Sequence, residues 1–332
     1  MAENKGVLVC GEIDSKLASI TTELLGCGRK LADDLKEALS CLLVGDKIGD
    51  AAKEAIAFGA DKVYTVEDPL LKQYQADSFI QVVEKVVKDT LPRIVLFGQT
   101  SMGRELAPRL AFRFGVCLST DCLDLTIDPN TKLLRQTRPV YGGNAQAIFV
   151  SELMPQVVTV RPKAMSPIER DASRKGNIIP TRISIDTTKV RTKILETVKE
   201  EVTGIKLEDA PVIVSGGRGM GGPEPFKTIL KELADLVHGA VGASRPPADN
   251  GWVPEAAHVG LTGKIVAPDV YIAVAISGAS QHIAGCLGSK HIVAINKDPE
   301  ANIFKEAEFG VVGKWEEVLP AFSNKLKELL KS

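Results

Sequence analysis

The sequence predicts an α/β protein of two domains, each a mainly parallel sheet flanked by helices, and three observations support this prediction. The chain has 332 residues, which is enough for two domains of ordinary size. Residues 6–114 alternate short apolar runs with segments of helical periodicity. The same alternation resumes at Val212 and continues to the end of the chain. We therefore predict an N-terminal α/β domain over residues 1–204 and a Rossmann-like domain over residues 205–332.

The N-terminal alternation gives four strands and four helices in turn. The predicted strands are Gly6–Glu12, Leu39–Val44, Lys62–Thr65 and Arg93–Phe97, and the predicted helices are Ser15–Ala32, Ala51–Phe58, Ser78–Lys88 and Ser101–Phe114. Ser15 is predicted as the N-cap of the first helix, because a serine hydroxyl can accept a hydrogen bond from a free amide of the first turn. Continuous apolar runs such as Arg93–Phe97 are typical of strands that are buried on both faces.

The middle of the chain has extended segments without helices between them. The predicted strands are Asp121–Thr126, Lys132–Val140, Ala145–Val150, Val157–Val160 and Arg182–Asp186. Because no helix separates them, we expect antiparallel additions to the same sheet. Residues 163–180 are predicted as an exposed connection, Lys193–Val198 remains open between strand and helix, and Thr203–Pro211 is predicted as the interdomain linker.

The C-terminal part returns to alternating strands and helices. The predicted strands are Val212–Val214, Ala240–Ala243, Tyr271–Ile276, Ile292–Ile295 and Gly310–Val312, and the predicted helices are Pro225–His238, Ser280–Cys286, Asn302–Glu306 and Trp315–Leu330.

Composition argues against several classes of protein. A formal net charge of −1, from 41 basic and 42 acidic residues, gives no support to binding of nucleic acid or a membrane surface. The six cysteines include no C-x-x-C pair, so we expect reduced thiols and neither a metal site nor an iron–sulfur cluster. We see no signal peptide, transit peptide or membrane-spanning run, and predict a cytoplasmic protein of bacterial type.

Five turns rich in glycine or small residues follow strand-like runs or open helices in the C-terminal part. They are Ser215–Gly219, Val241–Arg245, Val259–Lys264, Ser277–His282 and Asn296–Pro299. Small residues let a backbone approach a diphosphate, and free amides in the first turn of a helix attract an anion. A single turn of this kind is equally well explained as a tight connection. Five in order indicate a nucleotide cofactor lying across the ends of a parallel sheet.

Some polar residues in these turns favour a ligand. Gln281 and His282 fall in the first turn of a predicted helix, where they face whatever the turn holds. Arg245 ends a predicted strand; it is either an ordinary surface arginine or a fixed positive charge beside the cofactor.

The turns and their order resemble the alpha (large) subunit of electron-transfer flavoproteins, and the resemblance covers essentially the whole chain. Three N-terminal stretches agree with it, namely Gly98–Ala111, the Arg-Pro-x-aromatic-Gly-Gly-Asn stretch Arg138–Asn144, and Val158–Pro162. The resemblance implies that the second domain holds FAD. It also implies that the first domain carries no flavin and packs on a smaller beta subunit.

The resemblance also implies a set of cofactor-binding residues. They are Arg218, Ser244, Arg245, Val259, Gly260, Leu261, Thr262, Ser277, Gly278, Ala279, Ser280, Gln281, His282, Asn296, Lys314 and Trp315. Arg218, Ser244, residues 277–280 and Gln281 would line the ribityl chain and diphosphate, and Asn296 would contact the adenosine end.

Three residues of that set would tune the redox chemistry. The resemblance places Arg245 against the isoalloxazine, Thr262 near flavin N5, and His282 near O2 of the ring. No residue is implied as catalytic or as a metal ligand. The chain departs from the family pattern at Leu261, where a glutamine is common, and at Lys314-Trp315, where Asp-Leu is frequent. Two alternatives stay open for His258, just upstream: it compensates for the polar group missing at Leu261, or it is an exposed histidine.

The implied function is that of an electron carrier rather than a substrate-converting enzyme. The chain would accept electrons from a dehydrogenase flavin, such as that of an acyl-CoA dehydrogenase, and pass them to a second redox protein. In an electron-bifurcating complex the electrons would come from NADH through the beta subunit. The alternative is a nucleotide-binding regulatory or partner-docking module without redox activity. An NAD-dependent dehydrogenase is disfavoured, because no G-x-G-x-x-G follows the first strand.

Overall fold

The computed structural model describes residues 3–14, 16–143, 145–197 and 205–330. The chain forms two compact units, residues 1–197 and 198–332. Each contains a parallel sheet between helices, which confirms the predicted fold class. The predicted domain boundary at residues 204 and 205 borders an undescribed segment and stays a prediction. Ser15, Asn144, Val198 and Thr203, which entered the predictions above, lie outside the described residues.

The N-terminal unit begins with the predicted alternation of strands and helices. Its elements in chain order are β1 (Val7–Cys10), β2 (Ile13–Asp14), β3 (Lys16–Leu17), α1 (Ser19–Leu35), β4 (Leu39–Gly45), α2 (Ala51–Ala57), β5 (Lys62–Glu67), α3 (Ala76–Thr90), β6 (Ile94–Gly98), α4 (Ser101–Phe114), β7 (Leu118–Cys122), β8 (Asp124–Ile127), β9 (Leu134–Val140), β10 (Ala145–Phe149), β11 (Gln156–Val160) and β12 (Asn177–Pro180).

The main sheet of this unit has the strand order β12-β5-β4-β1-β6-β11-β7. Successive residues of β1 join opposite cores: Val7 and Val9 pack on one face, and Leu8 and Cys10 on the other. A strand whose side chains are buried on both faces needs apolar residues at every position, which explains why these strands read as continuous apolar runs.

The prediction of antiparallel additions to this sheet is wrong. β7 and β11 join the main sheet as parallel neighbours, whereas β8, β9 and β10 form a separate antiparallel sheet. The chain between β7 and β11 thus makes its crossover through a small sheet rather than a helix. The absence of a predicted helix therefore did not exclude parallel pairing.

Two further predictions in this unit are wrong. Residues 182–186 form no strand; instead Asn177–Pro180, within the predicted exposed connection, pairs in parallel with β5. Most side chains of this edge strand are exposed, so no apolar pattern marks it. Helix α1 begins at Ser19 rather than Ser15, because the residues immediately before it form the short β2–β3 pairing.

The C-terminal unit contains one parallel sheet. Its elements are β13 (Val212–Gly216), α5 (Glu224–Lys227), α6 (Ile229–Leu236), β14 (Ala240–Ala243), α7 (Arg245–Asp249), β15 (Val270–Val274), α8 (Ser280–Cys286), β16 (His291–Asn296), β17 (Phe309–Val312) and α9 (Trp315–Leu329). The predicted helix Pro225–His238 is broken at Thr228, whose backbone is not helical. The predicted linker is partly wrong too, since Leu207 and Ala210 are buried in the core of this unit.

The strand order β14-β13-β15-β16-β17 places a switch point beside β13. The chain leaves β13 for β14 on one side and later returns to β15 on the other. Connections on opposite sides of a strand leave a crevice at the carboxyl ends of a parallel sheet, which is where such sheets bind ligands. The five turns singled out in the sequence include those that follow β13, β14, β15 and β16.

Candidate functional site

A cavity of about 610 Å³ opens at the carboxyl ends of these strands. This volume is in the range typical of small-molecule and cofactor sites. Most of the predicted cofactor-binding residues line it: Arg218, Ser244, Arg245, Val259, Gly260, Leu261, Thr262, Ser277, Ala279, Gln281, His282 and Asn296. The structure thus brings together residues from all five turns, far apart in sequence.

Four predicted residues lie elsewhere. Gly278 and Ser280 are not part of the cavity wall, while Lys314 and Trp315 line a smaller cavity of about 200 Å³. The two cavities share Gly219, Ala275 and Asn296, so they lie next to each other at the end of β16. The indole N–H of Trp315 donates to the carbonyl of Gly219 at 3.2 Å, which fixes the ring at this junction.

Several residues of the wall were not predicted from the sequence, and the position of His258 was left open. The unpredicted residues are Gly219, Pro246, Ala275, Ile276, Asp298 and Ala301. His258 is buried, which decides against the exposed alternative. Asp298 belongs to the predicted turn Asn296–Pro299, although it was not among the predicted cofactor-binding residues. Its carboxylate accepts a hydrogen bond from the backbone N–H of Glu300. The apolar residues of this list have no polar group that would indicate a ligand. Only their position after a strand could have predicted them.

The glycines of the turns mainly allow the backbones of neighbouring turns to come into close contact. A Cβ on Gly278 would lie 2.2 Å from the backbone nitrogen of Ile303, and its φ of +82° is one that other residues rarely adopt. A Cβ on Gly217 would lie 2.0 Å from the carbonyl oxygen of Ala275. These glycines let neighbouring turns meet, and the cavity wall forms where they do.

The turn after Val259 is tightly held by backbone hydrogen bonds. The N–H of Lys264 donates to the carbonyl of His258 at 2.7 Å, and the N–H of Gly260 donates to the carbonyl of Lys264 at 3.1 Å. The N–H of Leu261 donates to the carbonyl of Gln281 at 2.7 Å, which ties the turn to α8. The Leu261 side chain is 40% exposed and lines the cavity, so it does not pack into the core.

His282 is buried, and both its ring nitrogens are engaged by the protein. Nδ1 lies 3.0 Å from the carbonyl oxygen of Val259, and Nε2 lies 3.0 Å from the hydroxyl of Tyr271. Because a carbonyl can only accept, Nδ1 donates and Nε2 accepts from Tyr271. Burial lowers the pKa of His282 to about 4, so its ring is neutral at pH 7.

Both polar atoms of the Asn296 side chain also form hydrogen bonds within the protein. Its side-chain amide donates to the carbonyl of Ile276 at 2.8 Å, and its oxygen accepts from the N–H of Asp298 at 3.0 Å. Asn296 therefore joins the ends of β15 and β16, and its predicted contact with adenosine stays a prediction.

Arg245 begins the short helix α7, which the sequence analysis did not predict. Its Nε lies 3.2 Å from Oδ2 of Asp249, one turn along the helix, and its side chain is 67% exposed. Ser244, immediately before it, is buried. This helix thus holds a guanidinium at the rim of the cavity with a carboxylate beside it.

Comparison with known proteins decides the family. Residues 6–183 match the electron transfer flavoprotein domain, and residues 206–287 match the electron transfer flavoprotein FAD-binding domain. The chain is 45% identical to the electron transfer flavoprotein subunit alpha of Thermoanaerobacterium thermosaccharolyticum, over 95% of this chain and 96% of that protein. The corresponding subunit of Megasphaera elsdenii is 43% identical over 99% of this chain and 98% of that protein.

The chain belongs to the electron transfer flavoprotein alpha-subunit family. Proteins of this family take part in electron transfer with a flavin, and the alpha subunits pair with a beta subunit. The acryloyl-CoA reductase electron transfer subunit beta of Anaerotignum propionicum is also similar, at 36% identity over 96% of this chain and 94% of that protein.

The wall of the larger cavity fits a flavin nucleotide. It combines two guanidiniums, from Arg218 and Arg245, with the hydroxyls of Ser244, Thr262 and Ser277. Guanidinium groups pair well with phosphate oxygens, and hydroxyls suit a polyol chain. Apolar contacts from residues such as Val259 and Ile276 complete a wall in which a flat ring can lie.

Within the described ranges, no helix is long and apolar enough to cross a bilayer. No cluster of histidine, cysteine or acidic side chains that could hold a metal ion is found in the part of the chain that the structure describes.

Proposed function

We propose that this chain is the FAD-carrying subunit of a heterodimeric electron transfer flavoprotein. It would take electrons from the flavin of a dehydrogenase and release them to a second redox protein. FAD supplies the redox chemistry when bound, and the protein's part is to hold it, orient it and set its electrostatic surroundings.

The observation that carries the proposal is the pair of adjacent cavities at the switch point of the C-terminal sheet. The larger has the guanidiniums, hydroxyls and apolar wall that a flavin and its diphosphate require. The smaller, beside Trp315, offers room and an aromatic face for a purine. A mononucleotide would use only the first, so the arrangement favours FAD over FMN.

The charges around the larger cavity suit an electron carrier. Arg218 and Arg245 contribute fixed positive charge, because arginine does not lose its proton. Such charge stabilises a cofactor that gains negative charge on reduction. Thr262 offers a hydroxyl on a turn that four backbone hydrogen bonds hold in place, so its position is fixed before the cofactor binds.

The proposed electron donor is an acyl-CoA dehydrogenase or a relative of it. Support comes from the similar Anaerotignum propionicum protein, whose name refers to an acryloyl-CoA reductase. The N-terminal unit is proposed to carry no flavin and to contact the beta subunit. The proposed cellular location is the cytoplasm, which agrees with the presence of six cysteines that are all free thiols.

A second source of electrons would be NADH, through a flavin of the beta subunit in a bifurcating complex. The chain co-purified with its beta subunit distinguishes the two sources. Under anaerobic conditions, we expect the flavin absorbance of the complex to bleach when an acyl-CoA and a catalytic amount of acyl-CoA dehydrogenase are added. The absorbance should remain when the dehydrogenase is left out. Bleaching by NADH alone would support the bifurcating role. A bound nucleotide that no reductant changes would support the non-redox alternative.

A further inference from the structure

Among the described residues, the largest fully buried side chain is that of Tyr271 in β15. It belongs to the same apolar core as Ile213 and Ile292. A phenylalanine would fill the same space, and a buried hydroxyl is costly unless it forms a hydrogen bond. Packing alone therefore does not account for a tyrosine at this position.

The hydroxyl of Tyr271 is bound to a residue of the cavity wall. It lies 3.0 Å from Nε2 of His282, and the centres of the two rings are 6.0 Å apart. Burial raises the pKa of Tyr271 well above its ordinary value, so the hydroxyl keeps its proton and can donate it. Ser215 and Cys286 also act on this hydroxyl, but neither lines the cavity. The contact with His282 is thus what connects Tyr271 to the site.

The partners of His282 allow only one neutral form of its ring. Nδ1 lies 3.0 Å from the carbonyl oxygen of Val259, and a carbonyl can only accept. A neutral imidazole carries one proton, so this proton is on Nδ1, and Nε2 accepts from Tyr271. The other neutral form, with the proton on Nε2, would set the lone pair of Nδ1 against the carbonyl of Val259. Tyr271 thus completes an arrangement in which both nitrogens are turned towards the protein.

This arrangement decides what His282 presents to the cavity. The ring is part of the wall, but both of its nitrogens are bound to the protein, so it offers the cavity no N–H group. Fixed positive charge in the wall comes from Arg218 and Arg245 instead. Without the Tyr271 hydroxyl, Nε2 would lose its partner, and the ring could turn until an N–H group faced the cavity. Such a donor would stabilise a cofactor that becomes negative on reduction.

We propose that Tyr271 is a positioning residue of the cofactor site: its hydroxyl holds His282 in the neutral form that is protonated on Nδ1, and so keeps an N–H donor of that ring away from the cofactor. This inference rests on the proposed function. It gives Tyr271 a part in setting the reduction potential of bound FAD, although Tyr271 lies outside the cavity wall. It also explains why this core contains a tyrosine rather than a phenylalanine.

The test compares single and double variants of the full chain, purified with its beta subunit. We expect Tyr271→Phe to raise the reduction potential of bound FAD. At a fixed potential, the ratio of reduced to oxidised FAD should increase roughly tenfold, which is the effect of about one hydrogen bond. In a His282→Gln background the same substitution should leave the potential unchanged, because the ring through which it acts is gone.

Tyr74→Phe is the matched control. It removes a tyrosine hydroxyl that donates to Glu105 at 3.0 Å in the N-terminal unit, and it should not change the potential. A purely structural role of Tyr271 would lower the melting temperature of Tyr271→Phe without changing the potential, and that result would overturn the inference. A lower potential, or a shift of equal size in the His282→Gln background, would overturn it as well.

The hydrogen-bond arrangement can be measured without cofactor, from the nitrogen NMR signals of the four histidines in the full chain. In the wild type, the signals that are lost in His282→Gln should show a proton on Nδ1 and none on Nε2. Tyr271→Phe should change the Nε2 signal, and Tyr74→Phe should not. A wild-type ring that is protonated on Nε2 overturns the inference even if Tyr271→Phe does not fold. If FAD does not bind while these signals behave as expected, the proposed function is overturned and the assignment of the Tyr271–His282 pair is supported.

Discussion

Replacing Leu261 by glutamine tests whether the turn after Val259 sets the potential of the flavin. The Leu261 side chain lines the cavity and is 40% exposed, while its backbone N–H is bound to Gln281. Leucine can offer no hydrogen bond there, whereas a glutamine amide can donate one to a negatively charged ring edge. The substitution keeps the backbone contacts, so it changes the polar character of the wall and little else.

The expected shift in the reduction potential follows from the strength of such a hydrogen bond. A bond to a charged group contributes about 1.5–3 kcal/mol. Because position 261 is partly exposed, the lower end applies, which corresponds to a rise of about 60 mV in a one-electron potential. The melting temperature should stay within about 1 °C, since partly exposed substitutions of this kind change stability little.

Redox titration and thermal unfolding of the FAD-loaded protein measure both quantities. Leu287→Gln is the matched control, since Leu287 is 45% exposed in the same unit but lies outside the cavity wall. The control should leave the potential unchanged. A lowered melting temperature without a shifted potential in Leu261→Gln would refute the reasoning, because it would mean that the side chain packs inward.

Three further predictions follow from the site. Arg245→Ala should destabilise the reduced cofactor by about 1 kcal/mol, a value limited by the exposure of the guanidinium and by its pairing with Asp249; redox titration checks this, and an unchanged potential would make Arg245 an ordinary surface residue. Since burial depresses the pKa of His282 below its unfolded value, the unfolded state binds more protons between pH 6.5 and about 4. Stability should therefore fall by roughly 3 kcal/mol as pH falls through that window, and urea unfolding of His282→Gln should show a flatter pH profile. FAD binding should quench the fluorescence of Trp315 in a Trp252→Phe background while FMN does so weakly, and equal quenching by both would argue against a purine beside this ring.

Helices and strands with a regular apolar pattern could be predicted from the sequence. Ser101–Phe114, Ala240–Ala243 and Ser280–Cys286 have the predicted bounds, because their apolar residues face a core at the spacing of the element. Asn177–Pro180 was missed because an edge strand with exposed side chains is held by its backbone alone. The short helix Arg245–Asp249 was hidden by two prolines, which are compatible with a first helical turn.

The location of the site could be predicted from the sequence better than the contacts that its residues make. Small residues after successive strands indicated the cavity, since such turns meet at one edge of a parallel sheet. The sequence does not show that the polar atoms of His282 and Asn296 bind other parts of the protein, or that Gly278 packs against Ile303. Those contacts join residues brought together only by the fold, as does the burial of His258 beneath its own turn.

The central claim is that the C-terminal unit holds one FAD. The most direct measurement is chromatography of the cofactor released by denaturing the full chain purified with its beta subunit, compared with the same complex carrying Trp315→Leu and Arg218→Ala. We expect FAD rather than FMN from the wild type. We expect a lower FAD content in the double variant, which lacks the Arg218 guanidinium of the larger cavity and the Trp315 ring of the smaller one. A colourless wild-type complex that cannot be loaded with FAD, or an FAD content that the two substitutions leave unchanged, would contradict it.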